Sequence, residues 1–288
     1  MSKTPSIELL LELSKSIAEK SAKQLMSELN PEHFEHQYDS EVKKEVKAEV
    51  DVVLEKMILP PLLETGISVL SEESGYIHND DDSDYMFCLD PLDGTFNFLK
   101  GVGPSAISIA LYKEGVPDEY IFGVIYNLST QELIWGGKNL GSYCNGIKIS
   151  VSETERMSEA VFFTGFPARF DFDLDNKLLW DLYKNVAKVR MIGSAAVSLV
   201  NVALGKGDAY FEEKIMMWDV AAGIAIVEGA GGIVDGDKLL GASTEDRHSA
   251  QSFGVGVLAT NKKLHEEIGT YCFKLLNEHR KEITGLES

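Results

Sequence analysis

Apolar residues at Ile7, Leu10, Leu11, Ile17, Ala18, Leu25 and Met26 recur at helical spacing, so residues 5–29 predict an amphipathic helix. Thr4 and Pro5 supply a cap and first turn, and Asn30-Pro31 ends the run. The charged stretch 31–46 predicts a loop, and AEVDVVLEKMIL (48–59) a helix stopped by Pro60-Pro61. Strands are predicted at Ile67–Leu70 and Met86–Leu89, with GYIHNDDDSD between them as a solvated acidic loop. Residues 105–112 alternate, with Ile107, Ile109 and Leu111 on one face, as a half-buried strand does. IFGVIYN (121–127) and ELIW (132–135) are expected to pair with it, and Asn145-Gly146 signals a hairpin turn. Farther on, strands near 160–164, 208–212 and 254–258 are interspersed with helices near 175–188, 194–204, 218–229 and 261–278. Such a mixture, with several antiparallel hairpins, predicts stacked layers of sheet and helix rather than a simple doubly wound parallel sheet. No linker divides the chain. The polar stretch SVSETERMSE (150–159) marks a boundary within one domain, between subdomains of about 1–152 and 153–288.

Charge narrows the possible partners. Against 27 Lys and Arg stand 46 Asp and Glu, a formal net charge of -19 over 288 residues. A field of that sign argues against general nucleic-acid or anionic-membrane binding. It leaves room for a small phosphorylated substrate, because bound cations reverse the local field. Cys88, Cys144 and Cys272 form no CxxC and are odd in number, which disfavours a disulfide scaffold and fits a reducing compartment. No signal peptide and no apolar run of bilayer length is expected, so the expected location is cytoplasmic.

The candidate chemistry is acidic. In LDPLDGTFNF (89–98), Asp90 and Asp93 flank Pro91-Leu92 on what reads as a turn at a strand's carboxyl end, with Thr95 beside them. Glu72 and Glu73 end the preceding strand; if the two strands are neighbours, Glu72 meets Asp90. Far downstream, MWDVAAG puts Asp219 at the start of a helix of small residues. Carboxylates held close repel, and one stays protonated unless a cation lies between them. Oxygen-only donors suit Mg²⁺ or Mn²⁺, and no His or Cys clusters with them to suit zinc. Several carboxylates around more than one divalent ion is an arrangement for phosphoryl transfer to water. Each motif alone has a plainer reading: a turn, a solvated surface pair, a helix cap. Their joint occurrence in one order shifts the balance.

With DPLDGTFNF (90–98), WDVAAGIAIVEGAGG (218–232) and SEES (71–74), the sequence resembles the inositol monophosphatase family of metal-dependent, lithium-sensitive phosphatases. NLGSYCNG (139–146), TGFPAR (164–169), IGSAA (192–196) and GDAYFE (207–212) extend the likeness. The resemblance implies a mixed α/β five-layered αβαβα sandwich of the inositol monophosphatase and fructose-1,6-bisphosphatase type, and a homodimer. It implies Mg²⁺ at two or three sites, Mn²⁺ as a substitute and Li⁺ as an inhibitor. Glu72, Asp90 and the Leu92 carbonyl would hold a first ion. Asp90, Asp93 and Asp219 would hold a second, and Glu72 would help hold a weaker third through water. Thr95, oriented by an N-terminal acid, would activate the attacking water. Asp51 matches that acid by its spacing to LEKM, with Glu49 as competitor, because Lys47, Ala48 and Val50 depart from the family's Val-Thr-x-x-Asp pattern. The amides of Gly94 and Thr95 would receive the phosphate, with Asp93 and Asp219 alongside, and Gly193, Ser194, Ala195 and Glu212 would line the alcohol. Catalysis would be in-line attack by water without a phosphoenzyme.

The implied substrate is a small polyol or sugar phosphate, inositol-1-phosphate type first. Fructose 1,6-bisphosphate, histidinol phosphate and other sugar phosphates are alternatives on the same scaffold. Met216-Met217 before Trp218-Asp219 depart from relatives with a polar residue there and loosen the assignment to inositol phosphate. Phe96-Asn97 stand where the nucleotide-phosphate branch carries Lys-Glu. Arg190 and Lys214 lie near the substrate positions, either to face the acidic site or a second phosphate or to form surface or intersubunit ion pairs. Asp171–Asp175 mimic an aspartyl-phosphate motif but follow Arg169-Phe170 rather than an apolar strand, and read as a loop. The alternative from another class is a non-catalytic regulatory or binding protein on the same fold.

Overall fold

The structure, a computed structural model, describes residues 5–28, 42–79, 83–113, 119–165, 177–235 and 254–284. Helix α1 (Ile7–Glu28) begins where the Ser6 hydroxyl accepts the Leu9 amide at 3.3 Å, so Ser6 caps it; Thr4 lies outside the described residues. Leu10, Leu11, Ile17, Ala18, Ala22 and Leu25 form its buried face, whereas Met26, expected on that face, is exposed. Helix α2 runs Val42–Leu63, longer at both ends than 48–59. Residues 42–46, expected in a loop, are helical, and Pro60 and Pro61 do not stop the helix. Leu54, Ile58 and Leu62 recur every four residues with no exposure, so burial of the final turn outweighs the amide bonds the two prolines remove.

Among the described residues, eight strands form a first sheet in the order β2-β1-β3-β4-β5-β6-β7-β8. They are β1 (Ser68–Ser71), β2 (Gly75–Ile77), β3 (Tyr85–Asp93), β4 (Ala106–Lys113), β5 (Tyr120–Asn127), β6 (Glu132–Gly137), β7 (Gly141–Cys144) and β8 (Ile147–Lys148). All neighbours are antiparallel except β1 and β3. Asn145-Gly146, both at positive φ, make the two-residue β7–β8 turn. Strand β2 falls inside the stretch expected to be an acidic loop. Its three residues are all half-buried, a weak signal at an edge. A short helix, α3 (Thr95–Lys100), follows β3.

The second sheet has order β10-β9-β11-β13-β12, from β9 (Val161–Phe163), β10 (Lys188–Arg190), β11 (Ala209–Met216), β12 (Ile233–Asp235) and β13 (Gly254–Thr260). Its helices are α4 (Lys177–Asn185), α5 (Ala195–Ala203), α6 (Met217–Gly229) and α7 (His265–Thr284), the last starting four residues after the expected 261.

Three hydrophobic clusters stack these elements. Helices α1 and α2 cover one face of the first sheet through Phe87, Leu89, Ile107, Ile109 and Leu111. Helices α5 and α6 lie between the sheets, against Met86, Cys88 and Ala110 on one side and Tyr210, Val257 and Ala259 on the other. Outermost, Leu182 of α4 and Ile268 and Cys272 of α7 pack on Phe162, Phe211 and Leu258. The layers are therefore αβαβα, the mixed α/β sandwich the sequence implied. Apart from Asp219 in its first turn and Glu228 in its last, helix α6 is apolar on every side, as suits a helix between two sheets.

Candidate active site

The acidic residues meet between the sheets, and β3 explains how. Met86 and Cys88 face α6, so Asp90, at the same parity, does too. Asp93 lies three residues on, and regular alternation would aim it at the opposite face. Pairing of Asp90 with Ser108 and of Asp93 with Ala106 leaves one extra residue on β3, a bulge at Pro91-Leu92. That bulge turns both carboxylates to one side. It also gives Pro91, which has no amide hydrogen, a place inside a strand. Asp93 is thus the last residue of β3 rather than part of an irregular turn beyond it. Gly94 then reverses the chain at φ 82°. A Cβ there would lie 2.9 Å from the Pro104 carbonyl oxygen and 3.1 Å from that of Gly193.

Asp219 comes from the first turn of α6. One oxygen accepts the Met216 amide at 3.1 Å, so the residue is both a helix cap and part of the site. Carboxylate oxygens of Asp90, Asp93 and Asp219 lie within 4.8 Å of one another. Burial pushes Asp90 and Asp219 well above the usual carboxylate range, and the neighbouring carboxylates add to the shift. Burial also lifts Asp93, to about 6, against the Ser194 hydroxyl and the Ala196 amide, which favour its charged form. The Ser194 hydroxyl donates to Asp93 Oδ2, and the Ala196 amide donates to the same atom at 2.8 Å. The groups crowding these acids are other carboxylates. Such a cluster is costly as charged protein alone, and its all-oxygen donor set fits a hard divalent cation. Asp90, Asp93 and Asp219 would hold one. Glu72 stands at the β1–β2 turn, its amide donating to the Leu89 carbonyl at 3.1 Å, and its carboxylate is among the charges that raise Asp90.

Thr95 opens α3 and is buried. Its hydroxyl reaches Asp51 Oδ1 of α2 at 3.0 Å and the Leu92 carbonyl at 2.8 Å. Asp51 is 1% exposed, whereas Glu49 points to solvent. The departures around 47–50 therefore leave the Asp51–Thr95 pairing intact. A cavity of about 200 Å³ adjoins the cluster, lined by Asp93, Gly193, Ser194, Ala195, Glu212 and Asp219 with Thr164, Gly165, Ser198 and Ile215. Glu212 Oε2 accepts the Tyr210 hydroxyl at 2.9 Å. Asn97 donates to the carbonyls of Pro104 at 2.9 Å and Ile192 at 2.7 Å, which ties α3 to the loop carrying Gly193.

Ser194 and Ala195 line the cavity as expected, but the Ser194 hydroxyl also serves Asp93, together with the Ala196 amide at the N-terminus of α5. No spacing in the chain signals that link, because 101 residues separate Ser194 from Asp93. Arg190 is exposed and donates to the Val189 carbonyl at 3.0 Å. The Lys214 side chain, residues 166–169 of TGFPAR and Asp171–Asp175 lie outside the described residues.

The sequence pattern of the inositol monophosphatase family matches residues 7–270. The chloroplastic phosphatase IMPL1 of Arabidopsis thaliana is 38% identical over 211 residues, which are 69% of this chain and 53% of that protein. This chain therefore matches about half the length of that relative. The fructose-1,6-bisphosphatase/inositol-1-monophosphatase of Aquifex aeolicus is 36% identical over 189 residues, 65% of this chain and 66% of that protein. Among solved structures, the extragenic suppressor protein suhB from Bartonella henselae superposes with a TM-score of 0.72 at 28% identity, covering 92% of this chain and 99% of that one. The family match runs through both sheets and takes in Glu72, Asp90, Asp93, Thr95 and Asp219, so the chain belongs to the inositol monophosphatase family.

Proposed function

We propose that this protein is a Mg²⁺-dependent phosphomonoesterase acting on a small polyol or sugar phosphate, an inositol-1-phosphate-type substrate first among them. The observation that carries the reading is the Asp90–Asp93–Asp219 group opening on a cavity that Glu212 also lines. Glu72, Asp90, Asp93, Asp219 and the Leu92 carbonyl would hold the ions. When bound, the ions supply charge neutralisation at the phosphate and the leaving oxygen and lower the pKa of water. Mn²⁺ would substitute and Li⁺ would inhibit.

The protein's own part is positioning. The Thr95 hydroxyl gives its one hydrogen to Asp51 or to the Leu92 carbonyl, which leaves lone pairs to accept a hydrogen bond from the attacking water; when it donates to Asp51, that hydrogen passes to the carboxylate as Thr95 takes the water's proton. The Gly94 and Thr95 amides, presented by the left-handed turn at Gly94, would receive the phosphate. Gly193, Ser194 and Ala195 would border the alcohol, and Glu212 would accept hydrogen bonds from its hydroxyls. Attack is in line, without a phosphoenzyme.

A second reading is a fructose-1,6-bisphosphatase, favoured by the double name of the Aquifex aeolicus relative. The deciding experiment is phosphate release, with and without Mg²⁺, from inositol phosphates, fructose 1,6-bisphosphate, histidinol phosphate and other sugar phosphates, ranked by kcat/KM. The expected ranking puts an inositol monophosphate first. Absence of Mg²⁺-dependent release from every substrate overturns the enzyme reading in favour of a non-catalytic protein. We propose a homodimer as the working form. Phe96, Val102 and Met191, all more than half exposed, sit on the segments that Asn97 joins and offer an apolar surface for it. None of the described helices is long and apolar enough to cross a membrane. With a net charge of -19, nucleic acid is not the proposed partner, and the proposed location is the cytoplasm.

A further inference from the structure

Glu72 is carried by a fragile element. Residues 72–74 are the loop of a hairpin in which Ser71 pairs with Gly75 and β2 is three half-buried residues. Gly75, at φ 69°, closes the loop in the left-handed region, the form expected of a three-residue hairpin connection. On its own, so short an edge hairpin does not hold a side chain to the tolerance a metal ligand needs.

A third acidic side chain restrains it. Glu55 of α2 is 7% exposed and is directed at the hairpin. Its Oε1 accepts the Ser71 hydroxyl and, at 3.1 Å, the Ser74 amide; its Oε2 accepts the Ser74 hydroxyl at 2.6 Å. Ser71 and Ser74 bracket Glu72 and Glu73, so one carboxylate clamps both ends of the segment that presents Glu72. Glu55 also lies four residues after Asp51 and shares its helix face. One face of α2 therefore holds Thr95 through Asp51 and the Glu72 turn through Glu55.

We propose that Glu55 is a positioning residue: by clamping Ser71 and Ser74 it sets the place of Glu72 and so the affinity of the site for its divalent ion. The inference rests on the metal-dependent reading above. Outer partners of ligating groups shift metal affinity by about 10–100-fold when removed.

The test titrates Mn²⁺ into wild-type protein, Glu55→Gln and Ser74→Ala, reading free Mn²⁺ by electron paramagnetic resonance, and follows the Mg²⁺ dependence of phosphate release. Glu55→Gln keeps the size of the side chain but turns an amide NH₂ or a weaker carbonyl towards the serine hydroxyls. It is expected to weaken Mn²⁺ binding about 10-fold or more and to raise the half-saturating Mg²⁺ concentration in parallel. The substrate KM at saturating Mg²⁺ should move less than about 2-fold. Ser74→Ala removes one bond at the exposed end of the turn and should weaken Mn²⁺ binding about 3-fold, which keeps the test alive if Glu55→Gln does not fold. Folded variants that bind Mn²⁺ as wild type does overturn the positioning role while leaving the phosphatase reading in place. Wild-type protein that neither binds Mn²⁺ nor releases phosphate overturns both.

Discussion

Replacing Asp93 by Asn should stabilise the metal-free protein while abolishing its function. Burial raises the Asp93 carboxyl from 3.8 to about 6. A group whose pKa is higher in the folded state binds its proton more tightly there. Its favourable contribution is therefore complete below 3.8 and is lost as pH rises through about 6. At neutral pH the folded, metal-free protein carries a penalty of about two pKa units, or about 3 kcal/mol at 1.36 kcal/mol per unit. The bonds from Ser194 and Ala196 already oppose the shift, so this figure is net of them. Asn keeps an acceptor for both donors and carries no charge to desolvate. In EDTA at pH 7.5, urea unfolding of Asp93→Asn should give a free energy about 1–3 kcal/mol above wild type, the range allowing for weaker neutral hydrogen bonds. At pH 5 the gap should shrink to about half, because wild-type Asp93 is then largely protonated. Added Mg²⁺ should raise the Tm of wild type with concentration and that of the variant far less, since a ligand stabilises only the state that binds it. A variant less stable than wild type in EDTA at pH 7.5, or a gap that does not depend on pH, would refute the claim that the site stores unfavourable charge awaiting a cation.

Other expectations follow from the same geometry. Thr95→Val should lower kcat by about 10²–10⁴-fold while leaving the Mg²⁺-dependent rise in Tm in place; loss of that rise would make Thr95 part of the metal site instead. Gly94→Ala should cost roughly 1–3 kcal/mol in urea unfolding, because the left-handed turn and the Pro104 carbonyl both exclude a Cβ. Unchanged stability would count against the turn as described. Cys144 is half-buried, whereas Cys88 and Cys272 are buried, and burial pushes all three thiols up. Iodoacetamide should therefore label Cys144 first and slowly by mass spectrometry; labelling of Cys88 in the folded protein would contradict the packing. Glu212→Gln should change kcat/KM unequally among polyol phosphates, and an equal loss on all of them would remove Glu212 from substrate recognition.

What the sequence made legible, and what it hid, divides along the range of the interactions. Strands β3, β4 and β5 were readable as short apolar runs; helices cover both of their faces, so the strand expected to be half-buried at 105–112 is buried on both sides. The acidic motifs were readable because each ligand set is short and local. Helix α2 was misjudged at Pro60-Pro61, where a local penalty is overridden by the burial of Ile58 and Leu62 against strands that sequence cannot place. The choice between Asp51 and Glu49 illustrates the same limit. They differ by two positions, about 200° around a helix, and what decides between them is which face of α2 meets Thr95, 44 residues on from Asp51. Once Asp51 is fixed on that face, Glu55 follows at one turn's distance and reaches the other half of the site. A mutation that rotates or frays α2 should therefore impair Thr95 and Glu72 together, although neither residue lies on that helix.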